Sequence, residues 1–125
     1  MLWGMKSAAA VYGLAMMLST QTLAMDGDPM AGRFGNTVRL TAKDGKVSKV
    51  YYNVDKSVVV LRPDGSILNG TWAIEGEKLC VSVAVTLTSV KRCAPFVPHK
   101  KAGDTWEQND ADGNPVTATI MPGRQ

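Results

Sequence analysis

Helical periodicity is missing from this sequence beyond its first two dozen residues. That absence excludes helix bundles and folds that alternate strands with helices. Chemistry-bearing residues are scarce as well. The chain has one histidine, His99, and two cysteines, Cys80 and Cys93. Such a set cannot build a His/Cys zinc centre, and the two cysteines are not a Cys-x-x-Cys redox pair. No Gly-x-Ser-x-Gly or Ser-x-x-Lys segment supplies an activated nucleophile. A general base needs a partly desolvated site and a partner, whereas His99 stands between Pro98 and Lys100-Lys101 in an expected loop. The expectation is a protein that is not an enzyme and carries no cofactor.

Charge of one sign is also lacking. Fourteen Lys and Arg face 11 Asp and Glu, for a net charge of +3, with the signs mixed along the chain. The only basic cluster is Lys91-Arg92 with His99-Lys100-Lys101. Nucleic-acid binders of this length carry a denser basic face with interleaved aromatics, so no nucleic-acid partner is expected.

The one long apolar run lies at the start. Met1 to Lys6 carries the α-amino group and a lysine, Ser7 to Leu18 is uncharged and apolar, and Ser19 to Ala24 is short, polar and small. That order is the order of a secretory signal peptide, with Thr22 and Ala24 at the positions a signal peptidase reads. The alternative is a retained membrane anchor. Ser19 to Thr22 shorten its apolar part below the roughly 20 residues needed to span a bilayer. The expected organisation is a signal peptide over residues 1–24, a leader segment over 25–35 and a β-barrel domain over 36–125. The expected location is periplasmic or secreted, with membrane attachment only if the leader is not cleaved.

What the rest of the chain does contain is strand grammar. "NTVRLTA" from Asn36 alternates apolar and polar residues. So do "KLCVSVAV" from Lys78 and "PVTATIM" from Pro115. Asp-Gly pairs at Asp44-Gly45, Asp64-Gly65 and Asp112-Gly113 punctuate the chain as hairpin turns. "SVVVL" from Ser57 is nearly continuous and apolar, which predicts a strand buried on both faces. Gly70, inside "SILNGTWAIE", predicts a bulge or sharp bend. About eight short antiparallel strands result. Exposed sheet edges invite aggregation, so such a meander is expected to close into a small up-and-down barrel or to curl strongly towards one.

Cys80 and Cys93 then fall on neighbouring strands of one hairpin. In an oxidising compartment they are expected to form a disulfide. The loop it closes, about 14 residues long, is worth about 3 kcal/mol in chain-entropy terms.

Two surfaces are candidates for binding. The segment from Pro95 to Lys101 joins rigid prolines to Phe96, His99, Lys100 and Lys101 and could form a rim that recognises an envelope protein. Tyr52, Trp72 and Trp106 could instead line a cavity for a small apolar ligand, since an eight-stranded barrel is just wide enough either to be filled by side chains or to hold one small molecule. "NDADGNP" from Asn109 places alternate oxygen ligands like the start of a calcium loop, but its glycine is misplaced and no glutamate closes it, so a strand turn is the better reading.

"GNTVRLT" from Gly35, "PDG" from Pro63, "GTW" from Gly70, "LC" at Leu79-Cys80 and the downstream Cys93 together resemble small secreted proteobacterial proteins of unknown function. The likeness runs roughly from Gly35 to Arg124. It implies a periplasmic β-rich domain with one disulfide, and it implies no activity. Small periplasmic barrels that inhibit proteases or lysozyme share the size and the single disulfide, but their inhibitory segments find no match here. The sequence therefore predicts a binding module for an envelope protein, with an inhibitor-like role in view. A lipocalin-like carrier of a small apolar ligand is the alternative.

Overall fold

A computed structural model describes residues 27–125. The signal peptide expected over residues 1–24 lies outside the described residues. A 3-10 turn, Ala31–Arg33, precedes eight strands: β1 (Thr37–Ala42), β2 (Val47–Tyr52), β3 (Ser57–Leu61), β4 (Ile67–Glu75), β5 (Lys78–Val85), β6 (Thr88–Pro95), β7 (Thr105–Asn109) and β8 (Pro115–Met121). All pairings between strands are antiparallel, as the alternation and the short turns predict.

The strands form one sheet in the order β6-β5-β4-β3-β2-β1-β8-β7. A plain meander would leave its gap between β1 and β8. Here those two strands pair from Thr37↔Met121 to Ala42↔Val116, and the free edges are β6 and β7. The interruption follows from Pro95 and Pro98, which stop β6 and leave residues 96–104 without strand structure. The sheet curls until these edges face each other. Gln108 Nε2 donates to the Pro95 carbonyl at 3.3 Å across the seam, and Arg92 pairs with Asp112. Side chains thus bridge a gap that backbone ladders do not close.

Turn chemistry repeats. In the β1–β2, β3–β4 and β7–β8 connections, a backbone N–H two residues past the turn aspartate donates to its Oδ1: Lys46 to Asp44, Ser66 to Asp64, and Asp112 to Asp110. The glycine that closes each loop has positive φ, 87° at Gly45, 90° at Gly65 and 86° at Gly113. These are longer loops ending in a left-handed residue rather than two-residue turns. The β2–β3 turn is built alike, but Lys56 takes the left-handed place with φ 77°.

Gly70 makes no bulge. Its register runs unbroken, opposite Val58 on one side and Val83 on the other. A Cβ there would lie 1.9 Å from the Ser82 carbonyl oxygen, so glycine is required for the close approach of β4 and β5. β3 also differs from expectation. Only Val58 is buried: Val59 and Leu61 are half-buried because the convex face of the curled sheet meets solvent, and Val60 faces inward but is only half-buried.

The packed core sits at one end of the curl, where the β2–β3 and β4–β5 turns lie. Met30, Val38, Tyr52, Val58, Trp72 and Ile120 are buried there. The segment expected to be a leader belongs to this core. Met30 is 2% exposed, Phe34 bridges to Tyr52, and the Phe34 ring lies 5.8 Å from that of Trp72. The 3-10 turn is seated on the β6–β7 connection, since a Cβ on Gly32 would lie 1.9 Å from the Lys100 carbonyl oxygen. The chain around residues 29–34 therefore closes this end.

Cys80 and Cys93 stand directly opposite in the β5–β6 ladder and are joined in a disulfide. The bond lies on the convex face. The Lys91–Glu75 ion pair, 2.7 Å, reaches across β5 on that same face.

Candidate functional site

Alternation decides what faces inward. On β1 it is Val38 and Leu40, on β3 Val60, and on β5 Leu79, Val81, Val83 and Val85. Above the closed end these side chains do not meet across the curl. They line a half-open cavity of about 600 Å³. Small-molecule sites generally range over about 300–1,000 Å³ and are lined mainly by apolar groups. The cavity runs from Arg33 and Tyr52 at the closed end to Arg62, Pro63 and Val85 at the opposite end. The β7–β8 turn, Asp110 to Asp112, forms part of the same rim. Beyond it projects the tip of the β5–β6 hairpin, where Leu87 is 97% exposed.

The floor carries a charge. Arg33 is 2% exposed. Its Nη2 donates to the Val97 carbonyl at 2.8 Å, and its guanidinium lies over the rings of Phe96 at 5.2 Å and Trp106 at 5.5 Å. Both rings present a negative face to the cation. Arg33 Nη1 is buried and has no hydrogen-bond partner among the described residues. No carboxylate lies within ion-pair distance of Arg33 among the described residues. A buried unsatisfied donor costs about 1–3 kcal/mol, and more when charged.

Tyr52 shares this floor. Burial pushes its hydroxyl pKa up from 10.0 to about 12, against the opposing pull of the Arg33 charge. Burial lowers the Arg33 pKa below its ordinary value, and the nearby Tyr52 opposes that shift. At neutral pH the phenol is therefore protonated and gives Arg33 no counter-charge. The consequence for stability has a definite sign. Below pH 10 the phenol is protonated in the folded and unfolded chain alike, and its contribution is fully present. Between pH 10 and about 12 the unfolded chain ionises first, and the contribution is lost. Urea midpoints measured across that range should fall, and Tyr52→Phe should flatten the decline.

The residues proposed from sequence separate into distinct places. Tyr52 and Trp106 line the cavity. Trp72 does not; it is 5% exposed within the packed core. Of the expected rim, Phe96 is half-buried and packs against the core under Arg33. His99 has φ 63°, and its backbone N–H donates to the Pro29 carbonyl at 3.0 Å, tying the loop to the 3-10 turn. Lys100 lays its Nζ 5.3 Å from the centre of the Trp106 ring, and Lys101 is exposed. Asp110 accepts from the backbone N–H groups of Asp112 and Asn114, at 2.9 and 2.8 Å, as a turn residue does. Among the described residues no cluster of three or more His, Cys, Asp or Glu is placed to hold a metal ion.

Sequence reasoning missed Arg33. Its signal was weak: one cation between the apolar Met30 and Phe34 in a glycine-rich stretch. The chain matches no known protein family, and comparison with curated proteins and with solved structures likewise returns no match.

Proposed function

We propose that this protein is exported from the cytoplasm and binds a small apolar molecule inside its curled sheet. The observation that carries this reading is the apolar cavity of about 600 Å³ with one closed end. A domain this small needs all the apolar contact it can make. Leaving Leu40, Val60, Val81 and Val85 around a hollow forgoes such contact, and a ligand restores it. The disulfide supports export, since such bonds persist in oxidising compartments. Docking of an envelope protein on the Pro95–Lys101 segment has less support, because Phe96, its aromatic anchor, packs inward. The reading is of a carrier, without catalysis or cofactor.

Titration with the neutral probe N-phenylnaphthylamine tests it. Trp106 faces the cavity, so its emission should be quenched by energy transfer to bound probe, with saturation at one probe per chain. Val60→Trp, which fills the hollow, should weaken probe binding at least tenfold while circular dichroism stays unchanged. Absence of saturable binding, or equal affinity in Val60→Trp, would refute the proposal.

A further inference from the structure

We infer that the cavity's ligand is an amphipathic monoanion, a long-chain monocarboxylate, whose head group pairs with Arg33 Nη1 at the floor and whose tail lies along the aliphatic walls. This rests on the cavity being a ligand site and goes on to name the chemistry it takes.

A guanidinium taken out of water requires partners for its N–H groups and its charge. Val97 satisfies one donor of Arg33, and Phe96 and Trp106 embrace the cation with their ring faces. Nη1 is left over, buried, on a residue that lines the hollow. A carboxylate oxygen would give it a charge-assisted hydrogen bond, which is the strong kind. Tyr52, beside Arg33 on the cavity wall, keeps its proton at neutral pH and offers the head group a second donor.

The charge count selects one negative charge. Among the described residues Arg33 is the one cation lining the floor of the cavity, Lys100 lying against Trp106 outside its lining, and a dianionic phosphate would bring a second charge into an apolar site without a partner. The walls select the rest of the molecule. Val81, Val83 and Val85 alternate along β5 from the floor region to the rim, so the apolar track is a strand long rather than a compact pit. An extended alkyl chain fits a track of that kind. Arg33 is also fixed in direction by its bond to Val97, so it is ordered before the ligand arrives, which limits the entropy lost on binding.

The test is competition against bound N-phenylnaphthylamine in the full-length chain, with dodecanoate, methyl dodecanoate and dodecyltrimethylammonium as competitors. They share a tail and differ in the charge of the head. Dodecanoate should displace the probe at least tenfold more tightly than the ester, and the cation should be weakest. Arg33→Met should remove the preference for the acid while retaining the ester's affinity, and Arg33→Lys should restore part of it. Equal affinities of acid and ester in the wild-type chain would overturn this inference and leave the apolar cavity reading intact. Failure of both the probe and all three competitors to bind would overturn the two together. The wild-type comparison decides the matter even where Arg33→Met does not fold.

Discussion

Trp72→Ala should destabilise the fold by about 3–5 kcal/mol, the usual range for removing a large buried aromatic side chain. Trp72 ties the closed end together from several directions. Its ring meets Phe34 at 5.8 Å and Tyr52 edge-on at 6.3 Å, and Lys56 Nζ lies 4.1 Å above it. Its Nε1 donates to the Asn53 carbonyl at 2.8 Å. Truncation leaves a cavity where the 3-10 turn meets the sheet and removes one of the Asn53 oxygen's two donors, the other being the Lys56 N–H at 3.1 Å. Domains of this size have total stabilities of about 5–15 kcal/mol, so the loss takes a third or more of the total over most of that range and leaves almost none at its low end. Urea denaturation gives the measurement: the midpoint should fall sharply. Trp72→Phe, which keeps most of the apolar area and loses the hydrogen bond, should fall between. Because Trp72 is not a cavity wall, the fraction that remains folded should bind probe with wild-type affinity. A loss below 1 kcal/mol would show that the closed end is not the packed core described.

Loss of the disulfide should have the second largest effect, about 3 kcal/mol for a closed loop of this length. At about 4–8 °C per kcal/mol for a domain of 60–100 residues, the melting temperature should drop by more than 10 °C. The position of the bond sharpens the expectation. β6 is an edge strand, laddered only to β5, and most of its residues are exposed. Cys93 fixes this edge opposite Cys80, and the β6–β7 seam depends on that edge staying in place. In Cys80→Ala/Cys93→Ala, amide exchange in β6 should accelerate more than in β1, β2 or β8. Uniform acceleration would mean that the bond acts on the unfolded chain alone. No change in melting temperature would contradict the entropic account altogether.

Much of the architecture was legible because its causes are local. Asp44, Asp64 and Asp110 each accept a backbone N–H inside their own turn, and a glycine supplies positive φ where each loop closes. Alternation in "KLCVSVAV" set which side chains face the interior, and hairpin register brought Cys80 beside Cys93. Where the reading differed, the cause lay between distant segments. Gly70 looked like a bulge because a glycine inside a strand signals either a bend or a close backbone approach, and only the position of Ser82 distinguishes them. The 29–34 segment looked like a leader because one turn of 3-10 helix has no periodicity, and its burial depends on the 97–101 loop folding onto it. Trp72 and Trp106 sit in similar hairpin sequences, yet one packs beneath Phe34 and the other faces the hollow, a difference set by where each strand lies around the curl. Arg33 carries the site's one buried charge among the described residues, and nothing in its neighbouring residues announces the partners it finds at Phe96, Val97 and Trp106.

The most direct test of a hollow, ligand-holding interior is methyl NMR on isotopically labelled protein with added dodecanoate. Intermolecular Overhauser contacts should run from the alkyl chain to the methyl groups of Leu40, Val60, Val81 and Val83. Contacts confined to Leu87 and the convex face, or none at all with the interior methyl groups touching only one another, would contradict it.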